Sequence, residues 1–314
     1  MAYLLQCPSL TARPGNVTVL RPSTALNVPM PFIVGTGRCG TTLLRLMLDA
    51  HPDLAIPPET HFIPDVVRRC TGAYDPHAAF LAALQENPTW PDFGLGAHDL
   101  HEAIADLAPF DTGNALRRFY QLYAERRGKP RWGDKTPGYA AAMRLVHEHL
   151  PEARFIHLIR DGRDVALSYR DVWFGPTSVP EAAAWWLARI DVARTEATGL
   201  PAGHYLEVRY EDLVLRPEAV LQEICGFLHL PWDPAMLSYH VRARHRLAEL
   251  ERDAQTWDGK PLRAADRLAI HERVSEPPNA DRVGRWRREM SRPDQMVFEQ
   301  HAGNMLRELG YEVG

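Results

Sequence analysis

The feature that most constrains this chain is a strand-to-helix turn near residue 35. Apolar Phe32, Ile33 and Val34 run into Gly35-Thr36-Gly37-Arg38-Cys39-Gly40-Thr41-Thr42, and Leu43, Leu44, Met47 and Leu48 follow at helical spacing. A buried strand, a glycine-bearing turn and a helix over 41–50 leave unpaired backbone N–H groups where loop meets helix, which is where anions bind. The bland alternative is a tight turn with an exposed arginine. The glycines, the paired threonines and the apolar strand together favour the anion.

The same pattern returns twice. Residues 154–159 read as a second buried strand, followed by the turn Arg160-Asp161-Gly162 and a helix over 164–170. A third strand at 204–208 leads to Pro217, a residue tolerated in a first helical turn, and a helix over 218–228. Strands that alternate with helices predict an α/β architecture: a P-loop-like three-layer fold with a central parallel sheet flanked by helices and ligands at the carboxyl ends of the strands. The 314 residues fit one domain of this kind, with 1–30 as a loose lead-in, helical insertions near 66–130 and 233–280, and a closing helix near 294–309.

Composition removes several alternatives. With 45% hydrophobic and 24% charged residues the chain is an ordinary globular one. A formal net charge of −4 argues against a general nucleic-acid binder. Cys7, Cys39, Cys70 and Cys225 form no CxxC pair, so neither a metal site nor a disulfide framework is expected, and reduced thiols in a cytoplasm are the simpler reading. The first ten residues lack the basic start and long apolar run of a signal peptide, and no stretch approaches a membrane span.

The loop departs from the Walker pattern at one place. Position 41 is Thr where an NTPase needs Lys to reach the β- and γ-phosphates. The nearest cation is Arg38, whose planar guanidinium can grip two oxygens of one anionic group.

These blocks resemble the sulfotransferase family. Arg38-Cys39-Gly40-Thr41-Thr42 matches its [KR]-x-G-T-T loop, with Cys39 where Ser is commoner. Phe155-Ile156-His157-Leu158-Ile159-Arg160-Asp161-Gly162-Arg163, followed by Ser168, matches its second signature. The resemblance implies that the co-substrate is 3'-phosphoadenosine-5'-phosphosulfate, that the 38–42 loop holds its 5'-phosphosulfate, and that Arg160 and Ser168 hold its 3'-phosphate. Tyr210 in Tyr210-Glu211-Asp212-Leu213 would lie near the nucleotide, or would merely pack in the core. Arg285 in Arg282-Val283-Gly284-Arg285-Trp286-Arg287 would close over the 3'-phosphate. The matched stretches are 31–65, 131–170, 204–231 and 282–286.

Residues 38–65 look like the tyrosylprotein sulfotransferase branch, which implies Glu59 as the catalytic base and Lys135 as the cation at the bridging oxygen. His61 is the other candidate base, since an unperturbed imidazole suits neutral pH better than a carboxylate. A solvated Lys135 beside Asp134 is the bland reading. The branch's membrane anchor is not matched, so the mechanism is expected to carry over and the acceptor stays open among peptide, carbohydrate, lipid and small-molecule hydroxyls. A P-loop kinase or NTPase, and a non-catalytic nucleotide-binding module, are the competing functions.

Overall fold

The computed structural model describes residues 28–256 and 259–314; most of the predicted lead-in, with Cys7, lies outside them. The chain begins with β1 (Met30–Gly35) and α1 (Thr41–Asp49). A two-residue strand, β2 (Leu54–Ala55), precedes α2 (Ile63–Cys70), α3 (Pro76–Gln85), α4 (Ala97–Ile104) and α5 (Thr112–Glu125). Asp75 caps α3 and Asp111 caps α5 by accepting backbone N–H bonds from Ala78 and Asn114. Then come β3 (Arg131–Trp132), β4 (Asp134–Lys135), α6 (Met143–His149), β5 (Ala153–Ile159), α7 (Gly162–Tyr169) and α8 (Val179–Ala197). After β6 (Tyr205–Arg209), α9 (Tyr210–Leu215) and α10 (Pro217–Phe227) follow, then α11 (His240–Leu247), a small hairpin of Ala254–Gln255 with Pro261–Leu262, α12 (Ala264–Ala269), α13 (Trp286–Glu289) and α14 (Arg292–Glu308).

The main sheet is parallel, in the order β4-β1-β5-β6. β1 and β5 occupy its centre and are apolar almost throughout, because both faces are covered. Phe32, Val34 and Phe155 face a layer that holds Phe119, Tyr120 and Met143. Ile33, Ile156, Leu158 and Val208 face α1, α9 and α10. The sheet therefore lies between two helical layers, as the alternating pattern predicts.

Two differences matter for the site. Lys135 belongs to a strand beyond the three that the sequence pattern predicts, β4, where it pairs with Ile33. The segment 66–130 supplies core as well as cover: Tyr120 of α5 stacks on Trp132 at 4.6 Å and packs edge-on against Phe32. Glu249 joins the two helical layers, accepting from Arg45 of α1 at 3.0 Å and from Tyr123 of α5 at 3.0 Å. Arg246 of α11 reaches Asp49 at 2.6 Å, so the 233–280 segment is tied to the helix that follows the loop.

Candidate active site

At the end of β1 the chain turns so tightly that side chains are excluded. A Cβ on Gly35 would lie 2.6 Å from the Leu158 carbonyl oxygen of β5. At Gly40, with φ of 101°, a Cβ would lie 2.5 Å from the Tyr210 ring. Gly40 is the N-cap of α1 and gives it no side-chain cap, so the first turn of the helix presents its N–H groups to the loop. Thr36 Oγ1 is buried without a partner. The concave, donor-rich turn fits an anionic group. Cys39 donates its thiol to the Thr36 carbonyl at 2.8 Å, and burial pushes that thiol up to about 11, so it stays protonated.

β5 lies beside β1 and brings its own turn into the same corner. The Trp186 indole donates to the Arg160 carbonyl at 3.0 Å. The Arg160 guanidinium donates to the Arg38 carbonyl at 3.3 Å and to the Arg282 carbonyl at 2.7 Å, and sits 4.5 Å over the Tyr210 ring. Its Nε is buried with no partner. Arg38, itself in the left-handed region at φ 66°, donates from Nε to Ser168 Oγ at 3.3 Å. Thus Arg38, Arg160, Ser168 and Tyr210 converge from the loop, the turn after β5, α7 and α9.

The second arginine of the Arg160-Asp161-Gly162-Arg163 run does different work. Arg163 is fully buried, pairs with Asp161 and Glu299 at 2.8 and 2.7 Å, and stacks 3.5 Å over Trp286. Asp164 accepts backbone N–H bonds from Gly284 at 2.9 Å and Trp286 at 2.8 Å, which pins the 282–286 loop onto α7. Burial, opposed by Arg160, pushes the Asp164 carboxyl up to about 6. In that loop Arg285 is paired with Glu289 at 2.5 Å and Asp171 at 3.3 Å. It is Arg282, not singled out by sequence, whose carbonyl rests on Arg160.

On the other side of β1, β4 presents Lys135. The lysine missing from the loop is supplied, in effect, by the neighbouring strand: Lys135 Nζ lies 3.4 Å from Thr42 Oγ1 and 2.5 Å from Glu59 Oε1. His61, at φ 56°, reaches the other carboxylate oxygen at 2.8 Å from Nε2. Burial alone would raise the Glu59 carboxyl, but Lys135 and then His61 outweigh it and hold the group well below the usual carboxylate range. Glu59 and His61, alternatives in the sequence, are here one hydrogen-bonded pair. His271, just after α12, was not singled out by sequence. Burial and the charges of Lys135, Arg38 and Arg45, partly offset by Glu59, push its imidazole down to about 3, so a neutral histidine adjoins the cationic centre.

Arg38, Lys135 and Arg160 thus surround an anion cradle, with an ionised carboxylate at its edge. The arrangement can stabilise charge on a transferring anionic group and accept a proton from a nearby hydroxyl. Among the described residues no group of His, Cys, Asp and Glu forms a metal-ligand set, and no helix is long and apolar enough to cross a membrane.

A family model described as "Sulfotransferase family" matches residues 29–234. The chain is 28% identical over 292 residues to a protein-tyrosine sulfotransferase of Drosophila melanogaster, covering 91% of this chain and 52% of that protein. It is 28% identical over 309 residues to the nodulation protein NoeE of Sinorhizobium fredii, covering 90% and 67%. The chain therefore spans about half to two thirds of the length of these relatives. Among solved structures it is similar to the sulfotransferase domain of the Synechococcus PCC 7002 olefin synthase, with a TM-score of 0.56 and 23% identity over 92% of this chain and 96% of that one.

Proposed function

The chain belongs to the sulfotransferase family, and from that premise we propose that it transfers a sulfuryl group from 3'-phosphoadenosine-5'-phosphosulfate to an acceptor hydroxyl, by in-line displacement with Glu59 as general base. The observation that carries this reading is the convergence of Arg38, Ser168, Arg160, Lys135 and Glu59 around the 35–42 loop. When bound, the donor supplies a sulfuryl group on a phosphate leaving group. Arg38, Cys39, Gly40, Thr41 and Thr42 hold its 5' end through side chains and helix N-terminal N–H groups. Arg160 and Ser168 hold the 3'-phosphate, with Tyr210 beneath Arg160 and the 282–286 loop over it, Arg285 included. Lys135 meets charge developing at the bridging oxygen, and Glu59 takes the acceptor proton.

A peptide tyrosine heads the acceptors to test because relatives bear the name protein-tyrosine sulfotransferase; carbohydrate, lipid and small-molecule hydroxyls follow. The kinase or NTPase reading is less well supported, since the cation comes from β4 and Thr41 stands where the Walker lysine would. The non-catalytic reading leaves the ionised Glu59–Lys135 pair without a use.

Calorimetry with 3'-phosphoadenosine-5'-phosphate, AMP and Mg-ATP tests the reading: the first should bind much more tightly than the others. Arg160→Ala should weaken 3'-phosphoadenosine-5'-phosphate by at least about tenfold, because charge-assisted hydrogen bonds contribute about 1.5–3 kcal/mol each, while weak AMP binding stays nearly unchanged. Equal losses for both nucleotides would remove Arg160 from the 3'-phosphate site.

A further inference from the structure

The loop that carries Glu59 runs alongside β4, and successive residues of the two segments pair on opposite sides. Glu59 meets Lys135 on the side of α1 and Thr42. The next residue, Thr60, meets the residue before Lys135: Thr60 Oγ1 donates to Asp134 Oδ2 at 2.7 Å. This second pair is on the aromatic side of the sheet, where Tyr120 OH also donates to Asp134 Oδ2, at 2.9 Å. Thr60 has one hydroxyl proton and gives it to Asp134, so the Tyr139 hydroxyl, 2.8 Å away, donates to Thr60 and accepts from the Ile63 N–H at 3.0 Å. The Thr60 backbone is held as well: its N–H donates to Thr136 Oγ1 at 3.0 Å, and its carbonyl accepts from Thr89 Oγ1 at 3.1 Å. Thr60 and Asp134 are both completely buried.

A core with only packing to optimise would put an apolar side chain at each of these positions. Taking a carboxylate and several hydroxyls out of water costs stability unless every group is matched. Asp134 Oδ1 is buried without a partner, so the network is not one that stability alone would select; what it adds is a fixed distance between two chain segments that are 74 residues apart along the sequence. That distance also separates the Glu59 carboxylate from the Lys135 ammonium one residue away. We propose that Thr60 and Asp134 are positioning residues for the catalytic carboxylate: their buried hydrogen bond, with Tyr139 and Tyr120 behind it, sets where Glu59 stands relative to Lys135 and the loop. This rests on the reading of Glu59 as the base. A misplacement of about 1 Å at a reacting group can cost on the order of 10²-fold in rate, which is ample leverage for such a hub.

The test is a double-mutant cycle on the full chain. Thr60→Val keeps the shape and loses the hydroxyl; Thr60→Ser keeps the hydroxyl. Sulfuryl transfer to an aliphatic alcohol gives kcat, calorimetry gives the Kd for 3'-phosphoadenosine-5'-phosphate, and thermal unfolding reports the fold. Thr60→Val should lower kcat about tenfold or more with the nucleotide Kd unchanged within about twofold, and Thr60→Ser should recover most of the loss. In a Glu59→Gln background Thr60→Val should cost less than about twofold further, since a group that acts through Glu59 has nothing left to position. If Thr60→Val fails to fold, Tyr139→Phe, which removes the hydroxyl behind Thr60, takes its place in the cycle with the same expectation. Effects that multiply in the double mutant, or a Thr60→Val enzyme with wild-type kcat, would overturn this inference alone. A wild-type chain that binds no 3'-phosphoadenosine-5'-phosphate and transfers no sulfuryl group would overturn the functional reading, and this inference with it.

Discussion

Glu59→Gln is expected to lower kcat by about 10² to 10⁴, the range that a positioned general base contributes. Glutamine keeps an oxygen for Lys135 at the position where the carboxylate now accepts at 2.5 Å, so the fold and the donor Kd should be unchanged. An aliphatic alcohol is the acceptor that exposes the effect, because an acidic phenol is partly self-activated. His61→Ala should do much less, since His61 touches the carboxylate oxygen that faces away from Lys135 and serves to orient it. A Glu59→Gln enzyme with near-full kcat on an alcohol, paired with an inactive His61→Ala, would move the base to His61.

Lys135→Ala is expected to lower kcat by about 10² to 10³, as removal of an oxyanion donor does, with little change in nucleotide Kd. The geometry adds a second signature. The carboxylate is the working form of Glu59, so kcat/KM falls as pH drops through the pKa of that group in the free enzyme. Lys135 holds it below the usual range, and the wild-type acid limb therefore lies at low pH. Without Lys135 the largest influence opposing burial is gone, and the limb should shift upward. Alcohol turnover between pH 4 and 8 measures this; an unmoved limb, or a nucleotide Kd that weakens as much as kcat falls, would make Lys135 a binding residue only.

Those expectations draw on parts of the site that were legible to different degrees. The 35–42 loop and the Arg160–Ser168 block are local: each sits on an apolar strand, a turn and a helix, and periodicity exposes all three. Lys135 is harder to read because β4 has two residues, too few to alternate, and its strand character comes from lying against β1. Thr60 and Asp134 carry no local signal, since a buried polar pair 74 residues apart is fixed by tertiary contact alone. Arg282 and Arg285 are three residues apart in one basic run, and only the Asp164 anchor on Gly284 and Trp286 decides which of them meets Arg160. His271 lies in the segment whose short helices give no period to read.

The opposed pairing of Glu59 with Lys135 and Thr60 with Asp134 also bears on which loops of this protein tolerate a change of length. From Leu54 in β2 to Thr60 the chain is extended or turning, and side chains along such a path take alternate sides. One residue added or removed there changes parity: the hydroxyl would face the ammonium and the carboxylate would enter the aromatic core. Insertions and deletions should therefore be absent from that segment among working homologues, whereas the turn between α2 and α3, where Thr71, Gly72 and Tyr74 are exposed, is free to vary. A loop exchange that conserves the count between β2 and α2 should be tolerated where one that alters it by a single residue is not.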